Sequence, residues 1–154
     1  MNFSISVRLK KISGKIGNTI PYPRYATKGA AGLDLSACLD DTLSVPPGAR
    51  VKIPTGVAIE IPQRNIAGLI FPRSGLATKH GISLANSVGV IDSDYKGEIM
   101  VAVLNHGEQE YIINPGDRIA QLVFVPVFDV VIKEVEKLAC SERGAGGFGS
   151  TGKT

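Results

Sequence analysis

The residues whose types and spacing could do chemistry are concentrated in residues 84–100, where apolar and polar side chains are mixed with glycine. Asp92 directly follows the apolar run 89–91, and Tyr95 comes three residues later. A turn favours Asp, Asn or Gly, but it does not need Asn86, Asp92 and Tyr95 together. The segment therefore predicts a β-hairpin that holds a flat ligand with polar edges beside a general base.

Two stretches upstream, residues 31–37 and 72–77, also carry polar groups suited to phosphates. Asp34 offers a carboxylate for a cation near phosphates, because Mg²⁺ takes only one or two protein carboxylates; the alternative is a solvated strand residue. Arg73 and Ser74 place a guanidinium and a hydroxyl at a predicted helix start, which is typical of anion binding. The alternative there is a helix cap with a surface arginine.

Two stretches downstream add further candidates. Gln121, in residues 116–123, is a neutral donor suited to phosphate or metal-bound water, or else an edge or interface residue. Residues 143–154 are rich in glycine and include one aromatic ring, so they could wrap phosphates and stack on a base, or form a disordered end. Residues 147–154 also match the pattern G-x-x-x-x-G-K-T. That motif acts between a strand and a following helix, and no residue follows Thr154 here, so we expect no P-loop.

Composition excludes several classes of function. The chain has 154 residues with 17 basic and 14 acidic side chains, a net charge of +3 that does not favour a nucleic-acid-coating surface. Two cysteines without a CxxC pattern indicate a reducing compartment, and with no leader segment we expect a cytoplasmic protein. The longest apolar run, 119–131, is interrupted by polar residues, so we expect no membrane span. His80 and His106 spell out no zinc site, and Ser74 lacks a serine-hydrolase context.

Candidate strands recur every 8 to 12 residues with Gly and Pro between them, which predicts an all-β sandwich or jelly roll. One short helix is predicted at 74–80, capped by Ser74 and ended by Gly81. Within 118–127, alternation places Arg118 on the face of Ala120 and Gln121 on the other face. The predicted strands are 3–9, 33–39, 42–45, 50–53, 57–61, 66–71, 99–104, 111–113 and 118–127, with 130–138 as a last strand or extended arm and 139–154 as a mobile tail.

Five stretches, in order, resemble the five motifs of the homotrimeric deoxyuridine triphosphate diphosphatase (dUTPase) family. The resemblance spans residues 31–152 and implies a jelly-roll-like β domain at 1–138 in a threefold trimer with shared active sites. It also implies that 128–138 is an arm exchanged between subunits and that 139–154 closes as a flexible lid. The matching stretches are AGLDLSA, PRSGLA, GVIDSDYKGEI, GDRIAQLV and RGAGGFGSTG.

The resemblance implies a hydrolase that cleaves dUTP to dUMP and pyrophosphate, which lowers dUTP and supplies dUMP for thymidylate synthesis. Asp92 resembles the general base that activates water for attack on the α-phosphorus. Tyr95 resembles the ring that packs under the deoxyribose, and Asp34 resembles the acid that contacts Mg²⁺ through water. By the same resemblance, the residues that read uracil would be Asn86 and the backbone of Gly89, Val90, Ile91 and Met100. The phosphate binders would be Arg73, Ser74, Gly75 and Gln121. The lid would include Arg143, Phe148, Gly149 and Ser150, with Phe148 stacking on uracil.

Two other functions remain as alternatives at this point. A dCTP deaminase, or a deaminase that also cleaves dUTP, shares the fold but generally lacks the tyrosine-bearing hairpin and the Gly-rich tail. A β structural or regulatory module would use the fold only to bind, yet such a relative could lose Asp92 freely.

Overall fold

The computed structural model describes residues 4–147, which form β-strands and one short helix. The predicted all-β, jelly-roll-like class is confirmed. The elements in chain order are β1 (Arg8–Lys11), β2 (Arg24–Tyr25), β3 (Leu33–Ser36), β4 (Leu43–Val45), β5 (Arg50–Glu60), β6 (Ile66–Phe71), α1 (Ser74–His80), β7 (Ile82–Leu84), β8 (Gly89–Ile91), β9 (Glu98–Asn105), β10 (Tyr111–Ile113) and β11 (Arg118–Pro126).

Two large antiparallel sheets enclose one apolar core. The first has the strand order β1-β5-β9-β7, the second has the order β2-β3-β11-β6-β8, and β10 pairs with β4 separately. In β9 the side chains alternate, so that Ile99, Val101 and Val103 are no more than 1% exposed. Leu35 and Leu122 of the second sheet belong to the same buried cluster. The period-2 pattern of these strands therefore sets which side chains form the core.

β5 corrects one sequence expectation, because the chain runs as one strand where two, 50–53 and 57–61, were predicted. The register against β9 shifts between Pro54 and Ala58. Side chains replace the interrupted ladder: the Thr55 hydroxyl donates to the Ile99 carbonyl at 2.7 Å. The Glu98 carboxylate accepts the Gly56 N–H, also at 2.7 Å. The Pro and Gly punctuation thus marks an irregularity within a strand and not its end.

The predicted hairpin around Asp92 is a second correction. β8 pairs with β6 in the second sheet, whereas β9 pairs with β5 and β7 in the first. The strands before and after Asp92 therefore lie in different sheets and share no ladder. The chain leaves the first sheet after β7, forms β8 in the second sheet, and returns as β9. Turn residues report a local bend, but they do not specify the partner strand.

The remaining elements differ from expectation mainly at their ends. The first strand spans 8–11 instead of 3–9, and β3 stops at Ser36 because the Cys38 N–H donates to the Pro54 carbonyl instead of continuing the ladder. Helix α1 has the predicted bounds and ends at Gly81 in the left-handed conformation, with φ 68°. The N-cap residue is Arg73, which makes no side-chain capping hydrogen bond. The prediction that Ser74 caps the helix was therefore wrong. Within 4–147, no helix has the length and apolar character needed to cross a bilayer.

Candidate functional site

Three neighbouring strands bring the polar residues of separate sequence stretches to one corner of the second sheet. Asp34 of β3 lies directly opposite Gln121 of β11, and Gln121 also lies opposite Phe71 of β6. Arg73 follows β6 by two residues, so it emerges at the same place. We call Asp34, Arg73, Arg118 and Gln121 the arginine corner.

The arginine corner is held together by ion pairs and hydrogen bonds. Arg118 Nη1 lies 2.9 Å from Asp34 Oδ2, and Arg73 Nε lies 3.6 Å from Asp34 Oδ1. Arg73 Nη1 also donates to the Arg118 carbonyl at 3.0 Å, and Gln121 Nε2 donates to the Pro72 carbonyl at 3.1 Å. The Asp34 side chain is only 14% exposed, so it is not a solvated strand residue. Two guanidinium groups around one carboxylate leave a net positive charge that suits phosphate.

Arg118 is a site residue that the sequence reasoning missed. Strict alternation put it on the face of Ala120, away from Gln121. The register against β3 shifts between Arg118 and Ala120, and this irregularity turns the Arg118 side chain toward Asp34. Its position inside the stretch GDRIAQLV could have indicated a role in the site. However, a β-bulge changes the sheet face on which a side chain lies, and alternation of residue types does not reveal a bulge.

Ser74 and Gly75 begin helix α1 next to the arginine corner. Both are exposed, whereas Arg73 is half-buried. Arg73, Ser74 and Gly75 thus lie at the start of helix α1. Their binding of phosphate remains a prediction.

Asp92 lies on a second surface, the six-residue 92–97 loop that joins β8 to β9. Asp92 is exposed, and its carbonyl accepts the Tyr95 N–H at 3.1 Å. Lys96 Nζ donates to the Ser93 carbonyl at 2.7 Å, which helps to fix the loop. Asp92 also borders a groove of about 860 Å³. The groove is lined by Glu60, Ile61, Pro62, Arg64, Ile66, Ala67, Val90, Asp92, Ser93, Asp94, Lys96, Val127 and Asp129.

The predicted base-reading residues are divided between the two sheets. Asn86 is exposed and lies near Gly89, since a Cβ at Gly89 would be 3.5 Å from Asn86 Nδ2 and 3.1 Å from Ile70 Cβ. The absence of a side chain at Gly89 therefore permits close approach to β6. The other three predicted base-reading residues are Val90, 60% exposed, Ile91, 8% exposed, and Met100, half-buried opposite Pro54 in the first sheet.

A single chain keeps the arginine corner and Asp92 apart. Ile91, just before Asp92, lies opposite Gly68, whereas Arg73 follows the other end of the same strand. Gln121 lies opposite Phe71, three residues after Gly68, and Arg73 comes five residues after Gly68, which corresponds to roughly 10–16 Å of extended chain. Arg143 is exposed in a turn near the end of the described chain. Three lid residues, Phe148, Gly149 and Ser150, lie outside the described residues.

The residues of the arginine corner are better suited to a metal ion that binds together with a phosphate ligand than to one held by protein side chains alone. Among residues 4–147, no group of three or more His, Cys, Asp or Glu side chains could hold a metal ion. Both Asp34 oxygens face guanidinium groups, so this carboxylate is suited to contact through water. Mg²⁺ commonly keeps several waters and binds substrate phosphates with one or two carboxylates.

One titratable group near this corner has a shifted pKa. Burial and the negative charge of Asp117 raise the pKa of Tyr111, while Arg73 opposes that rise. Tyr111 therefore remains a neutral phenol, which adds no negative charge beside Arg73.

Comparison with known proteins gives one consistent answer. Residues 18–152 match the family model described as dUTPase. A deoxyuridine 5'-triphosphate nucleotidohydrolase of Klebsiella pneumoniae (strain 342) is 51% identical over 147 residues, which cover 96% of this chain and 97% of the relative. The protein of the same name from Coxiella burnetii (strain Dugway 5J108-111) is 53% identical over 148 residues, covering 96% and 97%.

Solved structures agree. A Staphylococcus bacteriophage 80alpha dUTPase, determined with dUPNHPP, has a TM-score of 0.83 and is 29% identical, covering 96% of this chain and 98% of its own. A mutant dUTPase from phage phi11 of S. aureus, described with a structural Mg(II) ion, has a TM-score of 0.75 and is 25% identical, covering 88% and 99%. Matches of this extent leave one assignment: the chain belongs to the dUTPase family.

Proposed function

We propose that this protein hydrolyses dUTP to dUMP and pyrophosphate, and so lowers dUTP while supplying dUMP for thymidylate synthesis. The observation that carries the proposal is the family match over 18–152, a range that includes Asp92, Tyr95 and the arginine corner. Relatives that cover nearly the whole chain are named for this activity. The two free cysteines, Cys38 and Cys140, support a reducing, cytoplasmic location.

The reaction would begin at Asp92. Its carboxylate accepts a proton from water as the water oxygen bonds to the α-phosphorus, and the bond from that phosphorus to the bridging oxygen breaks to release pyrophosphate. General base catalysis of this kind contributes roughly 10²–10⁴-fold. Arg73 and Arg118 offset the negative charge of the phosphates as the leaving group forms. Mg²⁺ bound to those phosphates would neutralise further charge, with Asp34 contacting it through water.

Selection of uracil and deoxyribose would depend on the region around the 92–97 loop. A hydrophobic pocket alone rejects one methyl group, such as that of thymine, by only about 1–3 kcal/mol. Asn86 and the backbone of 89–91 and Met100 would add fixed hydrogen bonds to the uracil edge, and a cytosine edge would leave them unpaired. Tyr95 is 43% exposed, so part of its side chain is available to pack under the sugar.

We infer a homotrimer in which each active site is shared. Two features support this: the roughly 10–16 Å of extended chain between the halves of the site, and the exposed apolar arm at 128–138. Phe128 and Ile132 are 88% and 90% exposed, and Val131 is 81% exposed. Such a surface favours burial against another copy. In the assembly, Arg143, Phe148, Gly149 and Ser150 would close over the nucleotide as a lid, with Gln121, Ser74 and Gly75 on the phosphates.

The test is release of pyrophosphate from dUTP in the presence of Mg²⁺, with UTP, dTTP and dCTP compared at equal concentration. We expect dUTP alone to be cleaved efficiently, with no ammonia from dCTP. When the reaction runs in ¹⁸O-labelled water, the label should enter dUMP, because the attack is on the α-phosphorus. Ammonia from dCTP would identify a deaminase instead, and label in pyrophosphate would contradict the mechanism.

A further inference from the structure

We propose that Gly97 determines discrimination between deoxyribose and ribose, because its missing side chain leaves the space that the Tyr95 ring occupies. This inference rests on the proposed function, in which Tyr95 packs under the sugar. Gly97 is two residues beyond Tyr95 in the 92–97 loop. It would act as a positioning residue, through Tyr95, and not by touching the nucleotide.

The spacing between Gly97 and the ring is the first observation. A Cβ added at Gly97 would lie 2.5 Å from Tyr95 Oη, 2.7 Å from Cζ and 3.1 Å from Cε2. Distances below 3.0 Å are essentially never seen for real Cβ atoms, so the ring would have to move. Gly97 is not among the glycines with positive φ in the described chain. Alanine can therefore adopt the backbone conformation there, and the obstacle to a side chain is the ring itself.

The far end of the ring is held by one hydrogen bond, which a displacement of the ring would break. The Tyr95 hydroxyl donates to the Glu98 carbonyl at 2.9 Å. Glu98 is fixed in turn, since its carboxylate accepts the Gly56 N–H at 2.7 Å. The neighbouring Ile99 carbonyl accepts the buried Thr55 hydroxyl at 2.7 Å. The irregular part of β5 thus holds the start of β9, and β9 holds the phenol.

Together these contacts hold the Tyr95 ring between Gly97 and the Glu98 carbonyl, with 43% of the residue exposed. In Gly97→Ala the ring must tilt away from the loop and lose its hydrogen bond. The surface that the deoxyribose would meet is then displaced. Displacements of about 1 Å near a reacting group can cost as much as 10²-fold. We therefore expect Gly97→Ala to reduce the ratio of kcat/KM for dUTP over UTP by about 10-fold or more, mainly through a higher KM for dUTP.

The experiment measures kcat and KM for dUTP and UTP in the wild type, Gly97→Ala, Tyr95→Ala and the double variant. Gly14→Ala is the matched control, because that glycine also has no positive φ and nothing lies within 4 Å of its added Cβ. If Gly97 acts through Tyr95, then Gly97→Ala lowers the ratio in the wild type but changes it less than 2-fold in the Tyr95→Ala background, which is the coupling expected of contacting residues.

An unchanged ratio in Gly97→Ala, or an equal loss with and without Tyr95, would overturn the inference while leaving dUTP cleavage intact. Failure of the wild type to cleave dUTP, or an unchanged ratio in Tyr95→Ala, would overturn it through the proposed function instead. Should Gly97→Ala not fold, folding of the double variant would support the steric conflict, and failure of both to fold would contradict it.

Discussion

Asp34 acts as the shared anion between two guanidinium groups, and this is the residue-scale basis of the arginine corner. Its carboxylate lies 2.9 Å from Arg118 and 3.6 Å from Arg73. Loss of that charge would leave two like charges side by side while removing the group that orients both. The stability of the corner and its net positive charge therefore depend on the same residue.

Asp34→Asn should lower the free energy of unfolding by about 1–2 kcal/mol, because a carboxylate that is only 14% exposed loses the charged hydrogen bond from Arg118 and the ion pair with Arg73. Urea denaturation measures this directly. Glu60→Gln is the matched control: it breaks the Arg8–Glu60 pair, whose side chains are 78% and 41% exposed. We expect that change to stay within about 0.5 kcal/mol, as for other surface pairs. Equal effects of the two substitutions would contradict a special role for Asp34.

Residue types alone indicated part of this corner. A carboxylate, a guanidinium and an amide recur where phosphates bind, which predicts Asp34, Arg73 and Gln121 as site residues. The structure brings all three together. Arg118 was not assigned, since its facing depends on a register shift in β11. Gly97 was also missed, because the sequence cannot reveal that the Tyr95 ring folds back over it.

At the scale of elements, strand β5 links the core to the 92–97 loop. Its irregular section carries Thr55, 3% exposed, whose hydroxyl replaces a ladder bond to the Ile99 carbonyl. This buried contact lets one strand pass through Pro54 and Gly56 without ending. It also fixes the start of β9, on which Tyr95 depends.

Thr55→Val keeps the shape but removes the hydroxyl, so the buried Ile99 carbonyl loses this donor. We expect destabilisation of about 1–3 kcal/mol, the cost of an unsatisfied buried polar group. Thr78→Val provides the comparison, because the Thr78 hydroxyl donates to the Ser74 carbonyl on an exposed helix surface. That variant should change the unfolding free energy by less than about 0.5 kcal/mol. Denaturation midpoints for both variants decide the matter, and a neutral Thr55→Val would refute this account of β5.

Local patterns were sufficient for some elements and insufficient for others. β6, α1 and β10 have the predicted bounds, since apolar runs between clear turn or cap residues define them. The division of β5 and the hairpin around Asp92 were wrong. Both errors concern partners distant in sequence. The Glu98 carboxylate accepts a hydrogen bond from Gly56 in the irregular part of β5, and β8 pairs with β6. Which strands pair with each other depends on the whole fold and not on the turn between them.

At the scale of the whole molecule, the exposed arm at 128–138 and the divided site both support the proposed homotrimer. Phe128 and Ile132 are nearly fully exposed in one chain, and the arginine corner lies three to five residues along the chain from Gly68, the residue opposite Ile91. A second copy would cover the arm and complete the site. Function and association are therefore expected to fail together when the arm is removed.

Two truncations separate assembly from closure of the lid. Removal of residues 143–154 should leave the trimer intact, because the arm remains, but reduce turnover by about 10²-fold or more through loss of positioning. Removal of residues 128–154 should also prevent trimer formation. Light scattering with size-exclusion chromatography gives the mass of each variant. Normal turnover after the shorter truncation would refute the lid, and a trimer after the longer one would refute the arm.

The central claim is that the Asp92 carboxylate activates the attacking water. The most direct measurement compares Asp92→Asn with Asp94→Asn, an exposed aspartate on the same loop, for turnover of dUTP and for binding of a non-hydrolysable dUTP analogue. We predict that Asp92→Asn lowers kcat by about 10²-fold or more while analogue binding is kept, and that Asp94→Asn retains turnover. Near-normal turnover of Asp92→Asn would contradict the account.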